Sequence, residues 1–235
     1  MSTVTYAVTD AVATITLDDG KVNVLSPTMQ QNIHAALDQA EQSAGAGAVK
    51  SIVIAGNNRV LSAGFDLAIF GSGDAAAGFA MLRGGIELMD RFLRFPVAVV
   101  VAATGPAVAG GSFLLCSGDH RIGSEKTRCQ ANEVAIGMTV PQSCIEILRM
   151  RLTNSAFQRA VGLAATFTGE EARAGGWLDE VVAPEDVLSR AQEVAAGFAA
   201  TLHTQHHLAS KLKARAAGLA AIQAGIDGLA AEFGG

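Results

Sequence analysis

From Phe95 to Gly118 the chain carries no charged residue. A run of that length is long enough to span a bilayer, and in water it has to be hidden. Pro96, Pro106 and several glycines break it, and Val97 to Val101 is rich in β-branched valine. It therefore reads as a buried strand over Val97–Ala103, a turn, and a short buried helix over Ser112–Cys116, rather than as a membrane span. Any fold for this chain has to bury that strand on both faces.

The rest of the sequence supplies the covering elements. Val4–Val8 and Val12–Leu17 read as strands joined at Thr9-Asp10 in a hairpin. Ser26-Pro27 is a cap followed by a proline at the first helical position. Met29, Ile33, Leu37 and Ala40 then carry a helix to about Ser43. Ser51–Ala55 has little polar relief and reads as a second doubly buried strand. A long helix spans Asp74 to Phe95, where Pro96 stops it. After the uncharged run come a strand at His120–Gly123, helices at Asn154–Leu163 and Gly169–Gly175, and a strand at Leu178–Val182. Pro184 opens a helix through Val187, Ala191, Val194 and Phe198, and an Ala-rich helical stretch covers about Gln205 to Phe233. The alternation predicts an α/β fold, with a core over residues 1–183 and a helical segment over 184–235 for packing and subunit contacts.

The net charge of −5, without a dense Lys/Arg cluster, argues against a nucleic-acid partner. Cys116, Cys129 and Cys144 are odd in number and lack C-x-x-C spacing, so neither a disulfide framework nor a zinc site is expected. The opening MSTVTYAVTD lacks the pattern of a signal peptide, and a cytoplasmic place is expected. His203, His206 and His207 have no third-ligand pattern, so no metal is expected there. Asp119-His120 has no serine in a nucleophile-elbow setting beside it.

Two loops share one design. Arg59–Leu67 follows the strand at Ser51–Ala55, and GPAVAGGS (residues 105–112) follows the strand at Val97–Ala103. Small residues at a strand-to-helix turn leave backbone N–H groups unpaired at the positive end of a helix. Two such loops on neighbouring strands could aim two N–H groups at one oxygen, as in an oxyanion hole. Glycines needed only for positive φ or tight packing account for the same pattern. GPAVAGGS is also close to a phosphate-binding loop, but Gly111 stands where that motif needs Lys. Glu133, in QANEVAIG, is a carboxylate among apolar neighbours. It reads as a general base if desolvated and as a surface residue at a strand end otherwise.

Taken together, RVLSAGFDL (59–67), TGPAVAGGSFLLCSGDHRI (104–122) and NEVAIGMTVP (132–141) resemble the crotonase family of enoyl-CoA hydratases and isomerases. The order, the spacing and the opening DDGKVNVLS agree from about residue 4 to residue 200. The resemblance implies a spiral of ββα units with a helical C-terminal segment, assembled as homotrimers or homohexamers. It implies an acyl-CoA thioester as substrate, with coenzyme A part of that substrate and no separate cofactor. It places the thioester oxygen on the N–H groups of Ala63 and Gly110, and Asp66, Leu67 and Lys21-Val22 along the CoA moiety. Ser62, Gly64, Gly111 and Phe113 complete the expected substrate site. Glu133 matches one of the two carboxylates that the family's hydratases use; the other would stand at Phe113.

Hydration asks for water activation and proton delivery, whereas moving a double bond needs one base. The resemblance with Glu133 alone therefore favours isomerisation. A fatty-acid β-oxidation hydratase using another acid and a non-catalytic acyl-CoA binder remain as alternatives. Family members often close with a basic tail; here the closing residues are Glu232-Phe233-Gly234-Gly235, which puts a phosphate contact from such a tail in question.

Overall fold

The computed structural model describes residues 3–233, so Met1-Ser2 and Gly234-Gly235 lie outside the described residues. β1 (Val4–Thr9) and β2 (Val12–Leu17) form the antiparallel hairpin. Its turn is Asp10-Ala11, one residue later than the sequence suggested. Both residues have positive φ, 49° and 64°, as a two-residue type I′ loop requires. In α1 (Pro27–Gly45) the Ser26 side chain accepts the Met29 N–H, and the helix runs two residues past Ser43. β3 (Ser51–Ala55) is buried throughout. A single turn, α2 (Leu67–Phe70), is capped by Asp66, and α3 (Ala75–Arg94) is capped by Asp74.

The uncharged run becomes β4 (Ala98–Ala102), β5 (Ala107–Val108) and α4 (Gly110–Cys116), all buried. The helix begins two residues before Ser112, so Gly110 is its first residue. β6 (His120–Gly123) and β7 (Arg128–Gln130) follow, then a 3₁₀ turn at Glu133–Ile136. The chain continues through α5 (Gln142–Arg149), α6 (Asn154–Leu163), β8 (Phe167–Thr168), α7 (Gly169–Gly175), β9 (Glu180–Val181), α8 (Val187–Thr201) and α9 (Thr204–Phe233). Among the described residues no helix is long and apolar enough to cross a membrane. The three cysteines are free and buried.

A six-stranded sheet runs β1-β2-β3-β4-β6-β9, parallel after the hairpin, and β5-β7-β8 make a second, smaller sheet. Strand, short second strand and helix recur as β4-β5-α4 and as β6-β7 followed by the 3₁₀ turn. Alternate residues of the central strands go to opposite faces. Ile52, Ile54, Val99 and Val101 join the large core with α1 and α3. Val53, Ala55, Val100 and Ala102 meet Val187, Ala191 and Ala195 of α8. The small alanines let α8 approach closely enough for the Ser51 hydroxyl to donate to the Ala195 carbonyl at 2.7 Å. The sheet is thus covered on both faces, and α9 packs on α3 and α5.

A buried charge cluster fixes α9. Asp119 accepts the Val99 N–H (2.9 Å), the Lys211 ammonium (2.9 Å) and the Arg215 guanidinium (2.7 Å). Burial alone would raise its pKa, but Lys211 and Arg215 outweigh that and hold it below the ordinary carboxylate value. With a depressed folded pKa, this contribution is present above the unfolded value near 3.8 and is lost as pH falls through the folded one. Removing one partner of a buried pair strands the other charge. Asp119→Ala should therefore lower the unfolding free energy by about 3–5 kcal/mol, read from urea denaturation at pH 7.

Candidate active site

The two loops are laced together by backbone. Leu61 N–H donates to the Pro106 carbonyl at 3.0 Å and Val108 N–H to the Ser62 carbonyl at 3.1 Å. Gly111 lies so close to Ser62 that a Cβ there would collide with the Ser62 carbonyl. Ser62 is wholly buried; its hydroxyl donates to the Asn23 carbonyl (2.6 Å) and accepts the Gly64 N–H (3.1 Å). Ser62 and Gly111, expected in the substrate site, lie in the packed seam between the loops and are not on the cleft lining. Gly64, with φ of 93°, is held against the second loop, and a Cβ would stand 2.8 Å from Ala109 Cβ and 2.9 Å from Gly110 N.

The donor assignment changes at one position. Ala63 N–H already donates to the Val22 carbonyl at 2.9 Å, so it is not available to a thioester oxygen. Among the described residues, the Phe65 and Gly110 N–H groups donate to no partner. Phe65 directly follows the glycine that packs on Gly110, which brings these two N–H groups into one neighbourhood. The Phe65 ring fits there because Gly85 and Gly110 have no side chains to meet it.

Ala109, just before Gly110, has φ 49° and ψ −127°, a conformation unfavourable for a residue with a Cβ. Three hydrogen bonds hold it: its N–H to the Gln130 carbonyl (2.9 Å), and the Ser112 N–H (2.8 Å) and hydroxyl (2.7 Å) to its own carbonyl. Strain kept this firmly beside a free N–H is the mark of a pre-set binding geometry.

These groups border a cleft lined by Ala63, Phe65, Leu67, Phe70, Leu82, Ala109, Phe113, Asn132, Glu133, Ile136, Met138 and Pro141. Among the described lining residues, Glu133 is the one ionisable group, and Asn132 is the one other polar side chain. Glu133 opens the 3₁₀ turn after β7 instead of sitting at an exposed strand end, and it is 5% exposed. Its Oε2 has no partner among the described residues. Loss of water pushes its pKa from 4.5 up to about 7. Phe113, where a second carboxylate would stand, contributes a buried ring from α4.

Lys21, Val22 and Leu67 are exposed, Leu67 on the cleft lining, and among the described residues the Lys21 ammonium has no partner. Asp66 spends its carboxylate capping Ala68 N–H at 2.9 Å. Sequence reasoning missed Phe65, Phe70, Leu82, Ala109, Asn132, Ile136, Met138 and Pro141 as lining residues. Six of these lie inside the loops and the segment that it had singled out; Phe70 and Leu82 come from α2 and α3, where nothing local marks them.

The family model for enoyl-CoA hydratase/isomerase matches residues 7–228. A Bacillus subtilis protein described as a probable enoyl-CoA hydratase is 29% identical over 201 residues, 85% of this chain and 77% of that protein. Two structures of one Mycobacterium tuberculosis protein superpose with TM-scores of 0.95 and 0.94. They are 52% and 51% identical, cover 99% of this chain each, and 96% and 99% of those chains. One describes a probable enoyl-CoA hydratase and the other an enoyl-CoA isomerase. A Mycobacterium marinum structure described as an enoyl-CoA hydratase is 55% identical, covers 98% of this chain and 99% of its own, and has a TM-score of 0.93. A match over nearly the whole chain, with the two loops and the buried carboxylate in place, makes this chain a member of the enoyl-CoA hydratase/isomerase family and an enzyme of the crotonase type.

Proposed function

We propose that this enzyme shifts the double bond of an enoyl-CoA thioester, with Glu133 as its one base. The observation that carries the reading is the cleft lining: one ionisable side chain, and an aromatic ring where a second acid would be needed. In this reading, the Glu133 carboxylate takes a proton from C2 of a 3-enoyl-CoA. The charge moves onto the thioester oxygen, held by the Phe65 and Gly110 N–H groups. Glu133 then returns the proton at C4, giving the 2-enoyl-CoA. A pKa near 7 suits a group that has to both accept and release a proton at neutral pH. The unpartnered Lys21 ammonium fits a CoA phosphate at the rim, and coenzyme A enters as part of the substrate. The Ala-rich α9 and the family resemblance support a homotrimer or homohexamer, and three free cysteines suit a reducing cytoplasm.

The parent should convert 3-enoyl-CoA faster than it adds water to 2-enoyl-CoA, and kcat/KM should rise with pH through about 7 as Glu133 loses its proton. Glu133→Gln should lower isomerisation by at least about 10²-fold. Product analysis with both substrates checks this: survival of activity in the variant overturns the role of Glu133. Tight acyl-CoA binding without any turnover by the parent would instead make the chain a binder.

Gly64→Ala should cost at least about 10²-fold in kcat, because its Cβ would press on Ala109 and Gly110 and move both donors. Stopped-flow turnover on the folded variant reads this effect.

The raised pKa also has a stability consequence. Between pH 4.5 and about 7 the folded chain keeps a proton that the unfolded chain has released, so stability falls as pH rises across that window. Glu133→Gln does not titrate. Its unfolding free energy should gain on the parent by about 3 kcal/mol between pH 4.5 and pH 8, measured by urea midpoints. A constant gap would show that Glu133 is not desolvated.

A further inference from the structure

A second hollow adjoins the cleft. Phe70, Leu82 and Met138 line both spaces. Beyond them the hollow is walled by Ala75, Gly78 and Phe79 of α3 and by Phe233 of α9. Among its described lining residues the one ionisable group is Asp74, whose carboxylate caps α3 by accepting Ala77 N–H at 3.0 Å. The space open to the centre of a water-sized sphere is about 60 Å³ in the cleft and about 170 Å³ in the hollow. The larger volume therefore lies outside the cleft, behind a shared apolar wall.

Phe70 is the centre of that wall. Its ring meets the Phe65 ring edge-on, with 6.3 Å between centroids and 77° between planes. It also lies over Gly78, where a Cβ would come within 3.1 Å of Phe70 Cδ1. Phe65 lines the cleft and Gly78 lines the hollow, so one ring touches the walls of both. Phe70 and Met138 are half-buried. Phe70 sits on the single turn α2, and methionine is unbranched, so both yield to an occupant more readily than a core residue would.

We propose that the hollow receives the far end of the substrate's acyl chain, and that the preferred substrates are linear medium-chain thioesters rather than short-chain ones. The inference rests on the thioester reading above. With the thioester oxygen on the Phe65 and Gly110 N–H groups and the reacting carbons at Glu133, the carbons beyond C4 run along Phe70, Leu82 and Met138. They pass Phe70 and Met138 into the hollow and end against the rings of Phe79 and Phe233. The coenzyme A end is unsuited to this place, because the Asp74 carboxylate would repel its phosphates. Phe70 and Met138 set how easily the chain passes, and the missing side chain of Gly78 sets how much room it finds. Each methylene moved from water into an apolar site is worth about fourfold in affinity.

The test is a chain-length profile on the folded full-length protein. The kcat/KM for 3-decenoyl-CoA should exceed that for 3-hexenoyl-CoA at least about tenfold. Gly78→Leu, which pushes a side chain against Phe70 and into the hollow, should lower that ratio at least about fivefold. Ala75→Trp fills the hollow from an exposed position and should lower the ratio likewise; it decides the matter if the Gly78 variant does not fold. A parent that isomerises both chains with equal kcat/KM, or prefers the shorter, overturns the inference. So do folded variants that keep the parent's ratio. A parent that isomerises neither chain sinks the earlier reading instead, and calorimetry with saturated hexanoyl-CoA and decanoyl-CoA then judges the hollow by itself. A Kd at least about tenfold lower for decanoyl-CoA, with the difference lost in Ala75→Trp, supports the tail site, and equal Kd values overturn it.

Discussion

The site depends on how closely two loops can approach. Gly111 rests on the Ser62 carbonyl, and Gly64 rests on Ala109 and Gly110, at separations that leave no space for a Cβ. Those contacts are possible because each loop leaves a doubly buried strand, β3 or β4, and the two strands are paired in register, Ile52 with Val99 and Ile54 with Val101. The sheet therefore sets the spacing of the loops, and the glycines let the loops use it. Among the described residues, the Phe65 and Gly110 backbone N–H groups are left without a partner there, and in the proposed reading they are the donors. That explains how a loop with Gly in place of a phosphate-binding Lys still suits an oxygen that acquires charge.

The desolvation of Glu133 belongs to the same architecture. The carboxyl opens a turn between β7, held in the second sheet by β5 and β8, and α5, held by α9. Apolar side chains from four separate parts of the chain, Phe65, Leu82, Phe113 and Pro141 among them, close around it. No local feature of NEVAIG would raise the pKa of a glutamate. The shift comes from tertiary burial, and the fold carries it as a standing cost in stability at neutral pH. A residue retained against such a cost is more readily understood as reactive than as structural.

How much of this was legible in the sequence varied with the kind of signal. β3, β4, α1 and α3 were clear because apolar runs, caps and Pro96 mark them locally. β5, β7 and β8 were missed: strands of two or three residues have no period, and they exist through pairing with distant partners. α5 could have been found, since Ser143, Cys144, Ile147 and Leu148 bury one helical face. At the site, the loops and Glu133 were readable as motifs. The choice between Ala63 and Phe65 was not, because it turns on whether Val22, some forty residues earlier, has already taken an N–H. Family resemblance points to a loop; which N–H in it is free follows from the hydrogen bonds, here Phe65 and not Ala63.

Phe113 has a structural role that bears on the chemistry. It is among the largest fully buried side chains, and its ring helps to wall the cleft. A carboxylate there would add a second negative group to a cavity in which burial has already raised the pKa of Glu133. Two carboxylates sharing such a space push the pKa of one still higher, dividing them into an acid and a base. With a ring instead, Glu133 is the one ionisable group among the described lining residues of the cleft. In the proposed reading the same atoms accept and return each proton, which suits relocation of a double bond.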